Sequence, residues 1–312
     1  GGSMMGTEFS DVMFGTPRPI DTEANIGVME KENVNIVVHG HDPSLSEMIV
    51  HFANDPEMIA YAKSMGAKGI TVSGVCCTSN EVTMRHGIPM AGNYLNQENV
   101  VLTGACEAIV VDVQCIFPAL GPLSKCFHTK FITTSPIARI PDSEFIQFSV
   151  ETAGDSAKEI VKMAIENFQN RNNELVNIPN QKQKARVGYS VEAIKGVLDT
   201  VANSQLDEFG TTKPLVECVH SGVIRGAVAM VGCNNPKVRP DTAHIGLMKK
   251  MLENDIIVIT TGCSAQAAAK AGLMDPVQAR EYCGAGLKRV CELANIPPVL
   301  HMGSCVDISR MM

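Results

Sequence analysis

Tryptophan is absent from this chain, and aromatic residues fill only 4% of its 312 positions. Its core must therefore be built from aliphatic, methionine and small side chains. No apolar stretch approaches the roughly 18 residues that a membrane helix needs, so the sequence reads as having no membrane span. Charge of one sign is also lacking. The 26 Lys and Arg stand against 33 Asp and Glu, a net charge of −7 with the acidic residues scattered, which leaves neither a nucleic-acid footprint nor a polybasic membrane anchor. The chain opens Gly1-Gly2-Ser3-Met4-Met5 without the apolar core of a signal peptide, and it reads as cytoplasmic with reduced thiols. Two motifs are missing as well. Without a Gly-x-Gly-x-x-Gly fingerprint a nicotinamide-binding reading loses its main support, and without a Cys-x2-Cys knuckle a structural zinc site has none.

What the chain does have is cysteine, 11 residues of it. An odd count cannot be fully paired in disulfides, and in a reducing compartment thiols become candidate metal ligands. Where they sit depends on the strands. Residues 35–38, 69–75, 108–113, 131–134, 227–232, 256–261 and 298–302 are apolar without alternation, the pattern of short parallel strands covered on both faces. Between them lie helical patterns. Ser44-Leu45-Ser46-Glu47 has capping-box spacing, and residues 154–165 repeat their apolar positions at helical period. Strands alternating with helices predict an α/β fold of two doubly wound, Rossmann-like parallel-sheet domains. The polar runs Asn170-Arg171-Asn172-Asn173-Glu174 and Asn180-Gln181-Lys182-Gln183-Lys184 read as a connection. The expected organisation is thus a lead-in at 1–20, a first domain at 21–184 and a second at 185–312.

The chemistry-bearing pattern lies at the carboxyl ends of the apolar strands. His39-Gly40-His41 comes after the first, Cys76-Cys77 after the second and Cys115 after the third; Cys233, Cys263 and Cys305 come after the last three. In open parallel sheets ligands bind beyond the carboxyl ends of the strands, so six strands aim thiols and an imidazole at one crevice. Spread soft ligands exceeding four suit a polynuclear iron–sulfur cluster, with the imidazole marking one metal as chemically different. In extended chain Cys76 points away from Cys77, so one of the pair is the ordinary ligand, and Cys77 is the choice. His39 and His41 share a face: one ligates while the other hydrogen-bonds nearby. His86 reads as a proton carrier or as a helix C-terminal cation. Cys106, Cys126, Cys218, Cys283 and Cys291 read as core or surface residues.

The ordered segments His39-Gly40-His41-Asp42-Pro43, Gly74-Val75-Cys76-Cys77-Thr78-Ser79-Asn80-Glu81, Val111-Asp112-Val113-Gln114-Cys115, Gly232-Cys233-Asn234-Asn235-Pro236, Thr261-Gly262-Cys263-Ser264 and Gly303-Ser304-Cys305-Val306-Asp307 closely resemble the nickel-dependent carbon monoxide dehydrogenases of anaerobes. The chain also resembles the catalytic subunit of the bifunctional carbon monoxide dehydrogenase/acetyl-CoA synthase through Met5-Gly6-Thr7-Glu8-Phe9-Ser10-Asp11. The resemblance implies a nickel–iron–sulfur C-cluster at the interface of the two domains. By it, His41 and Cys77 hold a pendant iron, Cys115, Cys233 and Cys263 hold the cubane irons, and Cys305 binds nickel; His39, Cys76 and His86 stand behind them. The implied reaction is the reversible oxidation of carbon monoxide with water to carbon dioxide, two protons and two electrons, feeding acetyl-CoA synthesis. A ferredoxin-like electron acceptor, an acetyl-CoA synthase subunit and a homodimer are the implied partners.

The resemblance also places the chain as an interior section of the family's chain. The helical amino-terminal domain and the carboxyl-terminal portion are absent, and the family's additional 4Fe-4S clusters have no ligands here. Two other readings compete. One is a hybrid-cluster (prismane-type) iron–sulfur reductase, which brings carboxylates to its cluster. The other is a non-catalytic scaffold section of the complex.

Overall fold

The computed structural model describes residues 1–197 and 214–311; residues 198–213 and Met312 of the expected second domain lie outside the described residues. Two compact units emerge. One comprises Glu23–Thr83 and Ile88–Lys182; the other comprises Gly1–Thr22, Met84–Gly87 and Gln183–Met312.

The first unit is built on the last two residues of β1 (Ile20–Ala24) and on β2 (Val34–Gly40), β3 (Ile70–Val75), β4 (Met90–Gly92), β5 (Ala108–Val111), β6 (Lys130–Thr133) and β7 (Glu144–Phe145). They lie in the order β7-β6-β5-β2-β3-β4-β1, and each neighbouring pair runs parallel. All seven residues of β2 are buried, as a central strand with helices on both faces must be. On one face Val34, Ile36 and Val38 pack with Leu45 and Ile49 of the helix Pro43–Ala53 and with Ile160, Val161 and Ile165 of the helix Ala153–Asn167. The chain runs outward from β2 through β3 and β4. It then returns to the other side of β2 as β5 and runs outward again through β6 and β7. The strand order therefore reverses between β2 and β5, the place where open α/β sheets bind their ligands.

The β2 exit depends on Gly40. Its φ of +131° is open to glycine, and an added Cβ would collide with the Asp112 carboxylate. The next helix is capped by Asp42, whose Oδ1 accepts the Ser44 N–H at 2.9 Å, with Pro43 in the first turn. This corrects the capping box expected from Ser44 and Glu47. An aspartate before proline already satisfies the first free N–H, so the helix starts earlier.

The polar run at 170–174 also departs from its reading as a plain connection. The Arg171 side chain is buried, and its guanidinium forks onto the fully buried Glu107 carboxylate, Nε to Oε1 at 2.7 Å and Nη2 to Oε2 at 2.6 Å. Glu107 also accepts the Asn35 N–H at 2.6 Å and faces His128 Nε2 at 2.8 Å. Arg171 Nη2 donates to the Asn33 carbonyl at 2.7 Å, and Nη1 donates to that of Lys31. A bidentate pair with these further partners ties the start of β2 to the start of β5.

The second unit contains β8 (Gln183–Val187), β9 (Gly226–Met230), β10 (Ile256–Thr260) and β11 (Val299–His301). β10 is the middle of a parallel three-stranded sheet, with Val258 opposite both Val228 and Val299. β9 is not covered on both faces as expected, because Ala227 and Ala229 are exposed on this edge strand. The residues of the expected lead-in form a helix, Gly2–Phe14, whose Asp11 carboxylate meets Arg310 at 2.7 Å and Arg85 at 2.9 Å.

Replacing Arg171 by Leu leaves the Glu107 charge buried without its partner, so unfolding in urea will show a loss of about 3–5 kcal/mol. A loss below about 1 kcal/mol contradicts this account of the pair. Gly40→Ala forces both a left-handed φ and a clash with a carboxylate, and calorimetry will show a destabilisation of more than about 2 kcal/mol; a neutral substitution would refute the close approach.

Candidate metal centre

The two turns at the β2/β5 reversal carry the residues that matter. β5 ends at Val111, two residues short of the expected strand, because Asp112 turns its carboxylate onto backbone. Asp112 Oδ1 accepts the His41 N–H at 2.5 Å and also the N–H of Val113, while Oδ2 lies 3.4 Å from the Thr78 hydroxyl. Burial pushes the Asp112 pKa up to about 7 against these backbone donors, which lower it. One carboxylate thereby fixes the exits of β2 and β5 together.

His41 leaves β2 with its ring oriented by the β5 turn. Its Nδ1 lies 3.2 Å from the Val113 carbonyl. A carbonyl only accepts, so Nδ1 carries the proton and Nε2 is left for other partners. Around the ring stand Cys76, Cys77 and Cys115. One ligand atom from each of His41, Cys76 and Cys115 falls within 4.8 Å of the others, and the Cys77 and Cys115 thiols hydrogen-bond with the His41 ring. Burial disfavours the charged ring, but the bonds and charges of Cys115 and Cys77 outweigh it and push its pKa up to about 11. The Cys115 thiol is drawn down to about 5 by its bonds from Cys76 first and His41 second.

Cys76 corrects an expectation. It is the first residue of the helix Cys76–His86 with a φ of 66°, not a residue of extended chain. The alternation argument that set it aside from Cys77 therefore fails: the helix starts directly at the end of β3, and both thiols are buried at its first turn. His86 is the last residue of the same helix. His39 points to the interior of the first unit, with Nε2 3.1 Å from Gln97 Oε1, and burial pushes its pKa down to about 4.

In the second unit Cys263 is buried in the first turn of the helix Gly262–Lys270, after β10. Gly262, at φ +62°, is where a Cβ would come within 2.8 Å of the Cys305 thiol. The Gly262 N–H donates to the Gly303 carbonyl at 3.0 Å, and the Gly303 N–H donates to His301 Nδ1 at 3.2 Å, so the β10 and β11 exits are tied to each other. Ser264 donates to the Met230 carbonyl at 2.9 Å, which brings in the end of β9. Cys233 succeeds Gly232 there and is exposed, as is Cys305. Cys283 and Cys291 hydrogen-bond with each other apart from these turns, Cys106 and Cys218 are buried, and Cys126 is exposed. Among the described residues no disulfide links any of the eleven cysteines.

Asp112 and Gln97 are the participants that sequence reasoning missed. Asp112 could have been found as the one acidic residue closing the apolar run 108–113, whereas Gln97 has no local signal. As a donor set, an imidazole whose Nδ1 is committed to a carbonyl, beside the thiols of Cys76, Cys77 and Cys115, of which Cys115 has a lowered pKa, fits a soft-metal group: a bound cation replaces the ring proton and the thiol protons. The carbonyl on Nδ1 is the outer partner such a ligand uses to hold its orientation.

Relatives match this chain over nearly its whole length. Carbon monoxide dehydrogenase 1 of Methanosarcina mazei is 53% identical over 312 residues, 100% of this chain and 48% of that protein. The carbon monoxide dehydrogenase/acetyl-CoA synthase subunit beta of Moorella thermoacetica is 46% identical over 319 residues, 99% of this chain and 46% of that subunit. The as-isolated, nickel-free carbon monoxide dehydrogenase of Thermococcus sp. AM4 superposes with a TM-score of 0.94 at 50% identity, covering 99% of this chain and 47% of that one. The chain thus spans about half the length of the curated relatives it matches. With residues 1–312 all matched, it belongs to the Prismane/CO dehydrogenase family.

Proposed function

We propose that this chain supplies the ligands of a nickel–iron–sulfur cluster at which carbon monoxide and water are converted reversibly to carbon dioxide, two protons and two electrons. The observation that carries the proposal is His41, its Nδ1 held by the Val113 carbonyl and its ring set among the buried Cys76 and Cys77 thiols and the half-buried Cys115 thiol at the strand-order reversal. The names of the relatives support the same activity. When bound, such a cluster supplies a soft metal for carbon monoxide and a Lewis-acidic iron that acidifies water.

The roles of the chain's own residues derive from their chemistry and from the family motifs. His41 and Cys77 are assigned to the pendant iron, Cys115, Cys233 and Cys263 to the remaining irons, and Cys305 to nickel. His41 is the hard end of this set, and its carbonyl-bound Nδ1–H holds the ring while Nε2 ligates. The Cys115 thiol, lowered toward thiolate, ligates without a large proton cost. Cys76 bonds Cys115 and thereby sets its charge. Asp112 is assigned to hold the turns rather than to ligate, since its Oδ1 accepts the His41 and Val113 N–H groups. The Moorella relative's name supports a place beside an acetyl-CoA synthase subunit; the ferredoxin-like acceptor for the electrons follows from the family resemblance alone.

Quantifying iron, nickel and sulfide in the full-length protein prepared without oxygen tests the reading. Nickel together with excess iron is the expected result, and Cys305→Ala will lose nickel selectively while Cys126→Ala keeps it. Iron without nickel in protein supplied with both metals moves the reading to an iron-only hybrid cluster, and absence of both overturns it.

A further inference from the structure

The sequence departs from easy backbone geometry just before the candidate ligand of β5. Gln114 and Cys115 are consecutive non-glycine residues with φ of 66° and 58°. Left-handed residues of this kind persist only where surrounding groups hold them. The group that holds them is on another element. Gln97 opens the helix Gln97–Leu102 and is fully buried. Its amide nitrogen donates to the Cys115 carbonyl at 3.0 Å and to the Tyr94 carbonyl at 2.6 Å. Its oxygen accepts the Phe117 N–H at 2.8 Å. The fourth partner is His39 Nε2, 3.1 Å from the same oxygen. Because both amide hydrogens go to carbonyls, the oxygen must face Phe117 and His39, and His39 must donate through Nε2. The amide cannot be flipped without facing two carbonyls with an oxygen and an N–H with an NH2. The clamp therefore grips the turn on both sides of Ile116, at Cys115 and at Phe117.

We infer that Gln97 is a positioning residue for Cys115, an amide clamp that holds the left-handed Gln114–Cys115 turn so that the thiol faces His41. The inference deepens the cluster reading above and rests on it for what Cys115 ligates, but the clamp itself is a property of the metal-free chain.

Two measurements separate the inference from the reading. In metal-free, full-length protein the rate at which iodoacetamide alkylates Cys115 is read by peptide mass, with exposed Cys126 as the internal standard. Gln97→Glu turns both donors into acceptors, and Gln97→Met removes the amide at similar volume should the charged variant fail to fold. Either variant will change the Cys115 rate relative to Cys126 by about fivefold or more, as expected for a lost pair of buried hydrogen bonds. Thr129→Val, which takes a 2.8 Å hydroxyl donor from the Cys106 carbonyl in the same unit, will leave that ratio unchanged. In metal-loaded protein the Gln97 variants will also shift the electron paramagnetic resonance signature of the cluster, whereas Thr129→Val will not. An unchanged Cys115 rate in a folded Gln97 variant overturns the clamp. Wild-type protein that takes up no iron overturns the cluster reading and leaves the alkylation result to decide the clamp.

Discussion

The Asp112 carboxylate accepts N–H groups from His41 and Val113, so the two segments that leave the sheet at β2 and β5 depart tied to one buried group. That tie is possible only because residue 40 has no Cβ. It brings the Val113 carbonyl to the Nδ1 edge of the His41 ring, and the carbonyl in turn decides which ring nitrogen is left over. Strand order, a glycine, a carboxylate and a tautomer form one chain of consequence. Each step narrows what the next residue can do.

The electrostatics of the site come from the same crowding. A half-buried imidazole stands beside thiols, and the bonds and charges between them move His41 up and Cys115 down. Away from the site the protein keeps its charges in closed arrangements. The Glu107–Arg171 fork locks the starts of β2 and β5, and Asp11 gathers Arg85 and Arg310 in the second unit.

Much of this was legible in the sequence, for reasons that can be named. The seven strands read as continuous apolar runs are all present: a parallel strand covered on both faces leaves no alternation to confuse the pattern, and the edge strand β9 is apolar throughout although Ala227 and Ala229 are exposed. The strands that went unread are the short or polar ones: Ile20–Ala24 carries Asp21 and Glu23, Met90–Gly92 and Glu144–Phe145 are too brief, and Gln183–Val187 sits in a polar run. Arg171 lay hidden in the same kind of run because its partner is 64 residues away. At the candidate centre the turns could be located from the residues just beyond each strand end. The clustering of His41 with Cys76 and Cys115 is consistent with that logic, but the positive φ of Cys76 and the clamp by Gln97 depend on tertiary contacts that no local pattern encodes.

The central claim is that the His41 Nε2 faces a metal because Nδ1 is committed to the Val113 carbonyl. A crystal structure of the full-length protein grown without oxygen, with anomalous scattering collected on both sides of the iron edge, tests it most directly. The account predicts an iron peak at bonding distance from His41 Nε2, with Nδ1 still on the Val113 carbonyl. Iron on Nδ1, or an iron-loaded protein with no iron at His41, would contradict it.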